Sequence, residues 1–323
     1  MANTRELRRR IKSVKNTAQI TKAMQMVAAT KMRRAQNQAL NGRPYSFNLS
    51  SALERLLPLI NMESHPLLSG NGSGTLGVIL LSTDKSLCGA LNTNLFRLIL
   101  ASHLTSPPSR EAGGNVVFYT VGKKGRNFVA RSGKNLLADF ENLDTVTFRQ
   151  AVQLAKLVTD SFLNGEIGEA YLVYPQFVST LRQEPAKVKL LPIDLESVIP
   201  ANAKPDLANA GIQLEKSGSE LDSRLRGNDR KENRNDKEKE FLFEPGPDRL
   251  LDYILVHHVQ IKIYQALLET KASEHSARMI AMQNATDNAL ELVSDLNLTY
   301  NQTRQDSITK ELLEITTAAL AMQ

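Results

Sequence analysis

Residues 248 to 323 run for 76 positions without a glycine or a proline, and this stretch limits what the chain can fold into more than any other. Stepping alternately by three and four from Leu251, one edge reads Leu251, Ile254, His258, Ile261, Gln265, Leu268, Ala272, His275, Met279, Met282, Thr286, Ala289, Val293, Leu296, Tyr300. This is a heptad seam, the repeat that keeps one edge of a helix facing a supercoiled partner. At the rise of an α-helix the stretch would be roughly 110 Å long, several times the width of an ordinary domain. A helix over 248–323 is therefore expected to need a partner along its side.

The other end of the sequence supplies one. Residues 1 to 41 also lack glycine and proline, and Leu7, Ile11, Val14, Ala18, Thr21, Gln25, Ala28, Met32 and Ala35 repeat the three-four spacing. Such a helix spans about 60 Å, so the longer helix must project past it. The projecting part ends in Ile315 to Gln323, without a charged residue. An isolated uncharged helical tip is unstable and sticky in water, and is expected to sit inside another protein.

Gly42 and Pro44 are expected to end the first helix, with a shorter amphipathic helix from Leu49 to Ile60 completing a segment over 1–60. The apolar run Leu76 to Leu81 predicts a buried strand, followed by a turn through Cys88-Gly89 and a helix from Leu91 to His103. Further strands are expected over Asn115–Val121, Glu169–Pro175 and Ala186–Leu191, with a helix over Val146–Leu163. Alternating strands and helices predict a small, mostly parallel α/β domain over 74–198. Between Glu215 and Glu240, sixteen of 26 residues are charged, eight of each sign. That composition cannot bury enough apolar surface to order itself, so 200–240 is expected to be a disordered insertion.

With 41% hydrophobic residues the chain can build a sizeable core, and its single cysteine, Cys88, excludes an internal disulfide. No stretch approaches ~20 consecutive apolar residues, as a membrane span needs, and the N-terminus lacks the apolar core of a secretory signal. The net charge of +6 is concentrated in residues 1 to 36, where ten Lys or Arg face Glu6 alone. A basic amphipathic helix suits a presequence, a nucleic-acid surface, an acidic protein partner or simply a solvated face. The seam continuing past residue 30 speaks against a removable presequence. The absence of aromatic residues for base stacking speaks against nucleic acid.

Enzymatic chemistry finds little support. Neither phosphate-loop pattern occurs, since Gly122-Lys123-Lys124-Gly125 has the wrong order and spacing. Asp84 and Lys85 follow the first strand, where open sheets often bind ligands, but a strand-to-helix turn uses polar residues and glycine anyway. The five histidines and Cys88 show no zinc-ligand spacing. His257 and His258 point about 100° apart on a helix and cannot chelate together. No nucleophile and base pair up, so no catalytic residue, metal or cofactor is expected.

Four blocks carry a family resemblance: Ile20-Thr21-Lys22-Ala23-Met24-Gln25-Met26-Val27-Ala28-Ala29-Thr30-Lys31-Met32-Arg33; Leu87-Cys88-Gly89 with Asn92 to Phe96; Ala277-Arg278-Met279-Ile280-Ala281-Met282 with Asn284 to Ala289; and Tyr300-Asn301, Arg304-Gln305 and Ile308 to Ile315. In order and over nearly the whole chain, these resemble the γ subunit of the F-type rotary ATP synthase, bacterial type. The resemblance implies an antiparallel coiled coil of the terminal helices joined to a Rossmann-like α/β foot. It also implies a non-catalytic central shaft, carrying torque between a proton-driven c-ring and the α3β3 hexamer. Implied partners are the α, β and ε subunits and the c-ring, with no nucleic acid, at the cytoplasmic face of the cell membrane.

Carried over residue by residue, the resemblance assigns Arg304, Gln305 and Thr309 to a β-subunit catch loop. It sets Met24 opposite Arg278 in the coil, Lys31, Arg33 and Arg34 against acidic lever loops of β, and Glu244 near the c-ring. Ser86 stands where the family usually has glycine, Asp306 replaces a small residue beside Gln305, and the insertion near 200–240 contains no cysteine for a thiol switch.

Overall fold

The computed structural model describes residues 4–56, 65–70, 72–102, 115–142, 145–193 and 247–321. Its elements in chain order are α1 (Thr4–Leu56), α2 (Pro66–Ser69), β1 (Leu76–Leu81), α3 (Leu91–Ala101), β2 (Val116–Val121), α4 (Lys123–Arg131), β3 (Asn135–Phe140), α5 (Phe148–Leu163), β4 (Glu169–Phe177), β5 (Gln183–Leu191) and α6 (Pro247–Ala321).

α1 and α6 form an antiparallel coil. Thr21 and Thr286 share a hydrogen bond of 2.7 Å across it, a Cβ on Gly42 would stand 3.3 Å from Gln265 Oε1, and the Tyr45 hydroxyl lies 2.9 Å from His257 Nε2. Every residue of the three-four stripe on either helix is buried or half-buried, because a 3.5-residue repeat keeps its apolar edge against the partner along a supercoil. The seam read from spacing alone is the seam of the structure.

Gly42 and Pro44 do not end the first helix, which continues to Leu56 without a break. A proline inside a helix costs roughly 3 kcal/mol, through a missing donor and a clash with the carbonyl four residues back. Here Pro44 and Leu40 are exposed, so water serves the carbonyl that loses its donor. The continuation also carries Leu53, 1% exposed, into the core beside Leu251, Ile254 and Leu255. Burying one such side chain contributes about 1.5–3 kcal/mol. Gly42 marks a close approach, since it is the point where α6 reaches in with Gln265.

The foot holds a five-stranded sheet in the order β3-β2-β1-β4-β5. β1 pairs in parallel with β2 and β4, β2 pairs in parallel with β3, and only β5 runs antiparallel, against β4. Strand β1 is buried on both faces, as its unbroken apolar run requires. Val78 and Leu80 pack toward α3 and α4, with Leu95, Ile99 and Val129. Ile79 and Leu81 pack toward α5 and α6, with Leu154, Val158, Val259 and Ile263. One outer layer of this α/β/α sandwich is therefore the shaft itself.

Helix α4 and strand β3 have no counterpart in the sequence reading. The insertion expected over 200–240 and Glu244 lie outside the described residues. No helix among the described residues is long and apolar enough to cross a membrane.

Candidate functional site: the joint and the projecting tip

Helix α6 changes neighbours along its length, and where it leaves the foot it carries a buried set of charges. Glu274, 3% exposed, accepts from Arg278 Nη2 at 2.8 Å and from Lys271 Nζ at 3.4 Å. Both cations also reach backbone carbonyls of the foot. Lys271 Nζ donates to Asn142 O, just after β3, and Arg278 Nη2 to Ser86 O, just after β1, each at 3.4 Å. Ser273 Oγ donates to Pro175 O of β4 at 2.9 Å, and Ser276 Oγ to Thr180 O at 2.6 Å.

These anchors rest on a second tier. Asn142 Nδ2 donates to Ser82 O at 2.7 Å, and Ser82 Oγ donates to Val121 O and accepts from the Gly125 amide at 2.8 Å. Gly122 has φ +99 and a Cβ there would stand 2.4 Å from Ser82 O, so only glycine fits. Gly122 and Gly125 are close-packing positions against Ser82 at the start of α4. Asp84 Oδ1 accepts from the Lys123 amide at 2.8 Å, at the start of α4.

Open α/β sheets bind ligands at the carboxyl edge of the strands, where the strand order reverses. In this sheet the reversal lies between β1 and β4, and side chains of α6 bond to the chain at the ends of both. The edge joins two parts of one protein.

Burial would raise the Glu274 carboxyl, but Lys271 and Arg278 outweigh it and hold it below the usual carboxylate range. Burial lowers His275 to about 4, helped by the cations Arg278, Lys271 and Lys31 against the opposing pull of Glu274. The neutral ring faces Arg278 Nη1 through Nδ1 at 3.4 Å. His258 is likewise lowered to about 4, by burial and then by Lys262.

The residues singled out from sequence are distributed along the shaft. Arg278 is 9% exposed and belongs to the charged set. Lys31 is half-buried and near enough to bear on His275, whereas Arg33 and Arg34 are exposed. Met24 is half-buried; the register of Thr21 with Thr286 sets it beside Gln283, more than one helical turn from Arg278. Ser86 does not take a positive φ, which falls on Leu87 and Gly89, so serine in place of glycine strains nothing there and its carbonyl serves Arg278. Lys271, Glu274 and Asn142 were missed. A run of small residues around them, Ala272, Ser273, Ser276 and Ala277, was the available signal of close approach.

At the far end the same register exhausts α1 near Thr303. Arg304, Gln305 and Thr309 are exposed, and so is every residue from Ile308 to Ala318. Among them Leu312 is 58% and Ile315 65% exposed. Here Ile308, Leu312 and Ile315, at helical spacing, put an exposed apolar edge on a helix that α1 no longer accompanies.

The family model for ATP synthase matches residues 3–322. The ATP synthase gamma chain of Methylacidiphilum infernorum is 42% identical, with 100% of both chains covered. That of Akkermansia muciniphila is 40% identical, again over 100% of each. The chain belongs to the ATP synthase gamma family. A chain of the Euglena gracilis mitochondrial ATP synthase, solved with OSCP, F1 and c-ring in rotational state 3, shares the fold at 21% identity and a TM-score of 0.61, with 99% of this chain and 94% of that one covered. This gamma chain has two terminal helices in a long coil, with an α/β foot at one side.

Proposed function

We propose that this gamma chain is the central rotor shaft of an F-type ATP synthase, carrying torque between a proton-driven c-ring and an α3β3 hexamer. The observation that carries this reading is the tip. Beyond the end of α1 the longer helix continues alone, with Ile308, Leu312, Leu313 and Ile315 facing outward. An exposed apolar edge of this kind marks a surface that a partner covers, and a hexamer with a central channel provides one.

On this reading bond chemistry belongs to the β subunits, and the shaft imposes its asymmetry on them. Arg304, Gln305 and Thr309 meet a catch loop of β, Lys31, Arg33 and Arg34 meet acidic lever loops, and Met24 and Arg278 lie where the shaft enters the hexamer. Glu244 approaches the c-ring, with the ε subunit also against the foot. The complex works at the cytoplasmic face of the cell membrane, with this chain peripheral to it. Exposed charge contacts contribute about 0.2–1 kcal/mol each, so single substitutions there are expected to be mild.

Reconstitution tests the proposal. The chain mixed with α and β subunits of its own complex is expected to give a stable assembly with ATPase activity. Failure to co-elute with α and β would remove it.

A further inference from the structure

We propose that Lys271, Glu274 and Arg278, with Ser273 and Ser276, form a torsional lock that fixes the angle of the foot about the shaft. The inference deepens the rotor reading and rests on it, since only a chain that transmits rotation needs its two parts held against twisting.

The geometry supports it in three ways. First, the bonds are directional. Apolar contacts between α6, α5 and the sheet hold the parts together but tolerate small rotations, whereas the Ser273 and Ser276 hydroxyl bonds to the foot, at 2.9 and 2.6 Å, constrain both distance and angle. Lys271 and Arg278 add longer contacts at 3.4 Å. Second, the anchors are spread out. Asn142 follows β3, Ser86 follows β1 and Pro175 lies on β4, so α6 is tied to three separate segments of the foot. Bonds to several segments oppose a turning moment better than bonds to one. Third, the charges are buried where they add little to stability. An apolar set of similar volume is often as stable as a buried ion triad, so definition of the angle is what the triad adds. Lys271, Glu274 and Arg278 are positioning residues, acting through the backbone of the foot.

Paired spin labels on the full chain read the joint directly. Arg131→Cys on α4 and Ser294→Cys on α6 are both exposed, in a Cys88→Ser background. Lys271→Met leaves the Glu274–Arg278 pair intact, and Ser276→Ala removes two bonds, to Thr180 O and from Gln183 Nε2, without touching a charge. The double variant is expected to broaden the distance distribution between the labels roughly twofold, as the joint opens locally. Lys271→Arg is expected to restore the width. Leu95→Ala, in the core on the opposite face of the sheet, serves as the control, expected to lower the melting temperature without broadening.

An unchanged width in the double variant overturns the proposal, and so does equal broadening in the control. Should the double variant fail to fold, each single variant is expected to show an intermediate width, and two singles at the parental width overturn it equally. The labels are read without partner subunits, so a failed lock is distinguished from a failed rotor assembly.

Discussion

Two stretches of one helix, Leu251 to Arg278 and Arg304 to Ala318, share a backbone conformation and differ in almost everything else. In the first, Leu255, Val259, Ile263 and Ala266 are buried on several sides by α1, α5 and the sheet. In the second, apolar residues of the same kind face outward. Good helix formers such as Gln305, Lys310, Glu311 and Leu312 favour the helix locally, so its continuity says nothing about what surrounds it. The inner stretch is held by its own chain. The outer stretch leaves its apolar side chains exposed.

The sharpest way to break this comparison is to remove the same side chain at both ends. Leu255→Ala, at 1% exposure in the core, is expected to cost about 2–5 kcal/mol in urea unfolding of the isolated chain. A loss below about 1 kcal/mol would mean that the foot and shaft do not share one core.

Acid should act on the inner stretch alone. His258 and His275 are each held near 4 in the folded chain, below the ordinary histidine value, so the unfolded chain binds more protons between those limits. Stability is therefore fully present above about pH 6.5 and falls as the pH drops toward about 4. Shifts of this size correspond to roughly 2 kcal/mol per histidine at pH 5. Unfolding at pH 7 and pH 5 measures the drop, and His258→Gln is expected to remove about half of it. An unchanged pH profile in that variant would place His258 in solvent.

A smaller effect tests the coil between the two stretches. Thr21 and Thr286 bond to each other across the seam, and Thr286 also donates to Met282 O at 2.8 Å. Thr21→Val keeps the shape and removes one partner, with an expected cost of about 1 kcal/mol. A gain in stability would mean that the bond opposes the register.

How far these features could be read from sequence follows the range of the forces behind them. The seam was legible because a 3.5-residue repeat is local and periodic, and β1 because six apolar residues in a row have few alternatives. Pro44 misled because its penalty is local while the burial of Leu53 that offsets it comes from α6, two hundred residues later. Helix α4 was hidden by Gly125, which looks like a breaker; a Cβ there would stand 2.7 Å from Ser82 Oγ. Strand β3 is an edge strand with alternating exposure, and its signal is too short to stand out. At the joint, Lys271, Glu274 and Arg278 have the spacing of an ordinary solvated helix face. Only the tertiary structure shows that the foot covers them. Arg278 was found through the family resemblance, which carries single residues but not their neighbours.

The outer stretch supplies the least effect on stability and the clearest separation of roles. Leu312→Ala removes an apolar side chain that already meets water, so the isolated chain should change by no more than about 0.5 kcal/mol. If the tip is covered in the assembled enzyme, that same substitution should weaken co-assembly with α and β, because the apolar area is then buried and the truncation leaves a gap. The measurement is a pair: urea unfolding of the chain alone, and retention of the chain by α and β subunits on gel filtration. A variant altered in retention but not in unfolding marks Leu312 as a partner surface. A variant altered in unfolding alone would mean that the tip folds back on its own chain, and the two ends of α6 would then be alike.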